Sequence, residues 1–295
     1  MKLDFDKTVR EKARAKINAS LDVLGLMPDG YHELDTVMVS LSLCDDVCVT
    51  LRRGDSIDIS VSVPGFSELV PQNEQNTASK AAMRFFERLG ITGVSAEIEI
   101  KKRIPVGAGL GGGSADAAAV LRALNLLCGN AFSIGKLRQT GLHVGADVPF
   151  CITGGTVRAG GRGELLTTLP DFPDCYITLV KPTFSNSTAE LYAKIDDVEL
   201  NERPDTNALV AAIVASDLKT TAAQCHNVFE QALSPEQLAT VAKIKNTLRS
   251  CGALNSAMTG TGSVVFGIFG DITAAERAKA VLSREFEAFI CKPEV

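Results

Sequence analysis

Pro105-Val106-Gly107-Ala108-Gly109-Leu110-Gly111-Gly112-Gly113-Ser114 is the stretch on which the reading of this chain turns. Five of the seven residues from Gly107 to Gly113 are glycine, and an alanine-rich segment, Ala115 to Leu127, follows at once. Glycine permits positive φ and close backbone approach, so successive N–H groups can curl around an anion. A helix opening at Ser114 would aim its positive end at the same anion. Gly107, Gly109, Gly111, Gly112, Gly113 and Ser114 are therefore candidate phosphate-binding residues.

The surroundings of the loop argue against two rival readings. Gly107, Gly109 and Gly112 satisfy the dinucleotide pattern G-x-G-x-x-G, but that pattern belongs on the first strand of a doubly wound domain, with an acid about twenty residues on. Here a strand-rich segment comes first, and no acid lies between Asp116 and Asp147. The Walker pattern fails as well, since Ser114-Ala115-Asp116 stands where Lys-Ser/Thr is required. Positive charge is left to Lys16 or Lys102. A purely structural glycine turn would spend much backbone entropy without packing in return.

Composition narrows the classes further. The 295 residues are 45% hydrophobic and 22% charged, enough apolar content for a sizeable core and a length that suggests two domains. Against 35 acidic residues stand 30 Lys plus Arg, a net charge of −5 that supplies no general field for nucleic acid. Charges in Met1-Lys2-Leu3-Asp4-Phe5-Asp6-Lys7 exclude a signal core, and no run reaches membrane-span length, so a cytoplasmic protein without a membrane partner is expected. Eight cysteines include no Cys-x-x-Cys, and His32, His143 and His226 are scattered. Reduced buried thiols are expected, and no residue is assigned as a metal ligand.

Alternation of apolar residues predicts half-buried strands over Ser56 to Val63 and Val94 to Ile100, with earlier strands over Ala15 to Leu24, Thr36 to Leu43 and Val47 to Leu51. Asn76 reads as the N-cap of a helix through Phe85, Phe86 and Leu89 that Gly90 stops. Later, Ile177 to Lys181 and Ser263 to Phe269 read as strands. Ser234-Pro235-Glu236-Gln237 opens a capping-box helix ended by Cys251-Gly252, and Thr273-Ala274-Ala275-Glu276 opens the final one. The Gly and Pro content sets a boundary near residues 160 to 170, dividing residues 1–163 from 164–295.

Several segments together resemble the GHMP kinases, whose phosphate loop has the form Pro-x-Gly-x-Gly-Leu-Gly-Ser/Gly-Ser-Ser/Ala. Ala15-Lys16-Ile17-Asn18, Asp29-Gly30-Tyr31-His32-Glu33-Leu34, Gly145-Ala146-Asp147-Val148-Pro149-Phe150, Asn227-Val228-Phe229-Glu230 and Thr259-Gly260-Thr261-Gly262-Ser263 carry the likeness over most of the chain. The first three resemble the branch whose alcohol substrate is a methylerythritol carrying a cytidine diphosphate. The resemblance implies an α+β, two-domain GHMP kinase fold: an N-terminal mixed β-sheet with helices and a C-terminal ferredoxin-like αβ domain, with ATP and substrate meeting between the halves. It also implies ATP and Mg²⁺ as cofactors and a place in non-mevalonate isoprenoid precursor synthesis. Another small alcohol, of the mevalonate or homoserine type, is the alternative.

Roles follow residue by residue from that resemblance. Asp147 would accept the hydroxyl proton and Lys16 would polarise the hydroxyl, since phosphoryl transfer needs positioning, charge stabilisation and a base. Tyr31 would stack on the cytosine, His32 would read its polar edge and Tyr192 would add a second ring, with Thr188 nearby. Asn18 would meet the polyol or its diphosphate. Asn76 and Lys102 would line the adenine pocket, though Asn76 also serves as a helix cap and Lys102 also reads as one member of an exposed basic run.

Overall fold

The structure, a computed structural model, describes residues 3–66 and 68–294. The chain divides into two compact units interleaved along the sequence. One comprises residues 1–15, 44–106 and 111–154, and the other 16–43, 107–110 and 155–295. The architecture is α+β with mixed sheets, in accord with the expected fold class.

In the first unit lie parts of two long strands, β1 (Lys7–Leu26) and β2 (His32–Arg53), together with β3 (Asp58–Ser62), α1 (Thr77–Leu89) and β4 (Val94–Lys101). Strand order here is β3-β4-β2-β1, with β3 parallel and β2 antiparallel to β4. Val94, Ala96, Ile98 and Ile100 of β4 are all buried, the period of two that one covered face demands. Asn76 caps α1 by accepting from the Ala78 amide, and Gly90 ends it in the left-handed conformation. Then come α2 (Gly112–Leu127), α3 (Ile134–Leu142) and α4 (Val148–Thr153), with α2 packed on α1, α3 and α4.

In the second unit β5 (Thr156–Gly160) pairs with β2 and with β6 (Leu165–Thr168). Next are β7 (Tyr176–Lys181), α5 (Thr188–Ile195), α6 (Thr206–Val214), α7 (Leu218–Ala223) and the short β8 (His226–Asn227), which pairs with β1. A 3₁₀ turn at Val228–Ala232 leads to α8 (Pro235–Ser250), β9 (Asn255–Met258), β10 (Val265–Phe269), α9 (Ile272–Leu282) and β11 (Glu287–Cys291). The antiparallel sheet β11-β7-β10-β9 packs against α8 and α9 over a core that includes Val180, Phe229, Ile244, Leu248, Val265 and Phe269. The capping box at Ser234 and Gln237 is present as expected.

Several boundaries differ from expectation. Thr36 to Leu43 and Val47 to Leu51 belong to a single strand, because Asp45 is not in a turn. It is fully buried, and its carboxylate accepts from the amides of Arg103 and Ile104 while pairing continues from Asp46 opposite Lys101. Helix α2 begins at Gly112, ahead of Ser114, with Gly111 as its cap. The final helix is capped by Asp271, which accepts from the Ala274 amide, two residues before the expected start. All eight cysteines are unpaired, and burial pushes the Cys128 thiol up to about 11. Among the described residues no helix is long and apolar enough to cross a membrane.

Two leucines on α8 give a graded test of this core. Leu248 is fully buried and crowds Gly267, whose added Cβ would lie 3.0 Å from the Leu248 Cδ2 atom, whereas Leu238 is 45% exposed. Leu248→Ala is expected to cost about 2–5 kcal/mol through lost burial and a cavity, with Leu238→Ala below about 1 kcal/mol. Urea unfolding should register the first as a lower midpoint with unchanged slope.

Candidate functional site

Gly107, Gly109 and Gly111 all have positive φ, at 66°, 77° and 69°, so the loop adopts a backbone that other residues rarely take. Gly111 caps α2 without offering a side chain, which leaves the first-turn amides of this 16-residue helix without a side-chain acceptor. The N-terminus of α1 stands beside them, since Thr77 Oγ1 donates to the Gly113 carbonyl at 2.8 Å. Two helix N-termini thus converge on Gly113, an arrangement suited to an anion. The turn before α4 lies here too, because a Cβ on Gly145 would be 3.8 Å from Ser114 Oγ. Asp147 follows as the N-cap residue of α4, yet its carboxylate makes no capping hydrogen bond to that helix.

Asn76 is 4% exposed and committed to structure on both sides of its amide. Its oxygen accepts from Ala78 N at 2.8 Å and its nitrogen donates to the Pro71 carbonyl at 2.6 Å. For Lys102 the structure removes the alternative reading of a solvated basic run. Its side chain is 4% exposed and its ammonium donates to Asp45 and, at 2.8 Å, to Asp116. Gly112 leaves room for it, as an added Cβ would sit 3.3 Å from Lys102 Nζ. Burial alone would lower the Lys102 ammonium, but the charges of Asp116 and Asp45 together hold it above its ordinary value. Burial pushes the Asp116 carboxyl up to about 7, Lys102 opposing and Asp45 adding to the rise, and Asp116 Oδ1 has no hydrogen bond.

In the second unit Lys16 and Asn18 project from β1, each 4% exposed. Lys16 Nζ donates to Asn18 Oδ1 at 2.7 Å, Asn18 Nδ2 donates to Thr36 Oγ1 at 2.8 Å, and Asn18 N donates to Thr259 Oγ1 at 2.8 Å. The turn from Thr259 to Gly262 is held from behind by Asn227, whose amide donates to the Met258 and Gly260 carbonyls, both at 2.8 Å. Gly109 lies against this turn: an added Cβ would be 2.6 Å from the Thr259 carbonyl oxygen and 2.8 Å from that of Gly262. Close packing, beyond φ alone, thus requires glycine there.

Thr188, Tyr192 and Asp196 recur every fourth residue at α5 and so share one face. Thr188 Oγ1 is 3.2 Å from Thr261 Oγ1, linking the helix to the same turn. The Tyr192 ring packs on His32 with centroids 4.9 Å apart and meets buried Phe229 edge-on at 4.9 Å. His32 Nε2 is 2.8 Å from Asp196 Oδ1. Neighbouring Tyr31 is 55% exposed, with the Arg162 guanidinium 3.8 Å over one face of its ring. Arg162 also binds Asp29, which accepts from the Tyr31 amide. Sequence reasoning gave no role to Asp196, Arg162 or Asp116, and named Phe229 only within a motif. For Asp196 the signal was available, since it continues the Thr188–Tyr192 spacing by one step.

Residues 76–155 match the GHMP kinases N terminal domain and residues 209–288 match GHMP kinases C terminal. The chain belongs to the GHMP kinase family. It is 40% identical to a 4-diphosphocytidyl-2-C-methyl-D-erythritol kinase of Alkaliphilus metalliredigens, over 94% of this chain and 93% of that protein. A kinase of the same name from Acetivibrio thermocellus is 42% identical over 96% and 98%. Among solved structures, a 4-(cytidine 5'-diphospho)-2C-methyl-D-erythritol kinase matches with a TM-score of 0.78 at 29% identity, over 97% of this chain and all (100%) of that one. A homoserine kinase from Cytophaga hutchinsonii shares the fold, with a TM-score of 0.77 at 21% identity over 100% of this chain and 97% of that one. This GHMP kinase is accordingly a small-molecule kinase, and ATP is its expected phosphate donor.

Two substitutions test the geometry of this GHMP kinase. Gly109→Ala, which needs both positive φ and space that backbone oxygens occupy, should destabilise by more than about 1 kcal/mol in thermal unfolding. Asp116 gives a pH signature. Between its ordinary value of 3.8 and about 7 the native state holds a proton that the unfolded chain has released, so stability should fall as pH rises through that window and level off above it. Urea midpoints across that range should show the decline in the parent and a flatter profile in Asp116→Asn.

Proposed function

We propose that this chain transfers the terminal phosphate of ATP to the 2-hydroxyl of 4-diphosphocytidyl-2-C-methyl-D-erythritol, a step of non-mevalonate isoprenoid precursor synthesis. The observation that carries the reading is likeness along almost the whole chain, at 40% identity over 94% of it, to a kinase bearing that substrate's name. Local geometry supports it. The glycine loop and the bare N-terminus of α2 suit the phosphates of a nucleotide. Tyr31 offers the ring face that Arg162 does not cover to a flat base, and His32 on Tyr192 offers a polar edge beside it in sequence.

In this reading Asp147 receives the proton of the acceptor hydroxyl. Its carboxylate is not used to cap α4, and its turn rests against Ser114 at the start of α2. Lys16 supplies positive charge to the reacting hydroxyl, oriented through Asn18, while Asn18 also meets the polyol or its diphosphate. Gly107, Gly109, Gly111, Gly112, Gly113 and Ser114 hold the nucleotide's phosphates. Asn76 and Lys102 line the nucleotide site through backbone and alkyl atoms, because the Asn76 amide is committed to its cap and the Lys102 ammonium to two carboxylates. Thr188 and Tyr192 complete the base pocket.

Among the described residues no group of three or more His, Cys, Asp or Glu side chains could cage a metal, so Mg²⁺ is proposed to arrive with the nucleotide phosphates, whose charge it neutralises when bound. The same reading takes residues 1–163 as the ATP-phosphate-binding domain and 164–295 as the substrate-side domain. It also takes the enzyme as cytoplasmic, with neither nucleic acid nor membrane as partner, which a net charge of −5 supports.

A coupled ADP-release assay should give turnover with the cytidyl substrate and little above background with mevalonate, homoserine or no acceptor. Asp147→Asn should lower kcat about 10²- to 10⁴-fold, the usual contribution of a positioned base. Near-normal turnover in that variant would remove Asp147 from the role, and turnover with mevalonate or homoserine alone would reassign the substrate.

A further inference from the structure

Asp196 sits at the C-terminal cap of α5, one helical step beyond Tyr192, and its Oδ1 lies 2.8 Å from His32 Nε2. The His32 side chain is only 11% exposed, and its ring is held on one side by Tyr192, which is itself braced edge-on by fully buried Phe229. Packing against the tilted Tyr192 ring restrains the plane of the imidazole, and the bond to Asp196 restrains its rotation within that plane. An ionised carboxylate only accepts hydrogen bonds, so a neutral imidazole facing it must carry its proton on Nε2. Nδ1 is then an obligate acceptor. It makes no hydrogen bond among the described residues, yet it is not among the buried polar atoms left without a partner, so it faces solvent.

An acceptor held in one direction discriminates between pyrimidines. Cytosine presents a 4-amino group that can donate to Nδ1, whereas uracil presents a carbonyl oxygen at the same position, lone pair against lone pair. We infer that Asp196 is a positioning residue that locks His32 with its proton on Nε2, so that Nδ1 selects a cytosine-bearing ligand over its uracil counterpart. The inference rests on the cytidine reading above and adds what enforces it. Asp196 is 46% exposed, so solvent screens its charge, and its bond to the largely buried His32 orients the ring more than it stabilises the fold. Selectivity built on one satisfied against one unsatisfied group is worth roughly tenfold or more.

The test uses the full chain with CMP and UMP as probes, titrated calorimetrically at alkaline pH, where imidazole is neutral, for the parent, Asp196→Ala and Asp196→Asn. The parent should bind CMP about tenfold or more tighter than UMP. In Asp196→Ala that ratio should collapse toward one, with the loss falling on CMP. Asp196→Asn keeps a carbonyl acceptor for Nε2–H and should retain most of the preference, an outcome that a merely structural role for the side chain does not predict. Nitrogen-15 spectra of labelled histidine, with His32 assigned from His32→Gln, should show the proton on Nε2 in the parent and a mixture in Asp196→Ala. An unchanged CMP-to-UMP ratio in Asp196→Ala, equal binding of the two in the parent, or a proton on Nδ1 would overturn the role of Asp196 and leave the cytidine reading in place or narrowed to pyrimidines. Binding of neither nucleotide would overturn both.

Discussion

The buried pair Lys16 and Asn18 imposes the constraint from which much of the second unit follows. A lysine ammonium has no acceptor, so it must face the oxygen of the Asn18 amide, and the amide nitrogen is thereby turned toward Thr36. Thr36 in turn donates to the Ser20 carbonyl, and the Asn18 main chain reaches Thr259. Each group has one workable orientation once its neighbour is set, which makes the network a specification of geometry as well as a way of avoiding unsatisfied burial. Strands β1 and β2 and the turn at 259–262 are joined by it, and Gly109 rests against that turn.

Lys102 solves burial differently. Its charge is matched by two carboxylates, and the arrangement ties β2 through Asp45, the chain entering the glycine loop through Arg103 and Ile104, and the first turns of α2 through Asp116. Desolvation takes back much of what such a cluster gains in attraction, so its contribution is to register more than to stability. The orphan oxygen of Asp116 shows that the cluster is not fully satisfied, and burial, by raising the Asp116 carboxyl to about 7, favours its neutral form there.

What the sequence makes legible here is what is local. Asn76 and Gly90, Ser234 and Gln237, and the glycine run each announce themselves through neighbours a few residues away; the structure has the first four in helix caps and the run in a positive-φ turn that opens α2. Asp45 and Lys102 were obscured because two acids in a row imitate a turn and three basic residues imitate a solvated face. Their partners lie 57 residues apart along the chain. The phase of β4 nonetheless pointed at Lys102: with Val94, Ala96, Ile98 and Ile100 inward, the next even position is also inward. The resemblance brought Tyr31, His32, Thr188 and Tyr192 together as a group, but not the groups that hold them, since Asp196 and Arg162 look like ordinary surface charges until the fold is known.

Leu191 and Ile195 seat α5 in the core at 3% and 4% exposure, and Tyr192 and Asp196 each follow one of them by a single residue. The anchoring stripe and the stripe that carries Tyr192 and Asp196 are therefore the same helix read about 100° apart. Adding or deleting one amino acid anywhere between Ser187 and Asp196 would force a choice between keeping the greasy side seated and keeping the tyrosine and carboxylate aimed. Drift in this helix is thereby confined to exchanges of side chain at constant length, with Ala189, Ala193 and Lys194 as the positions freest to vary.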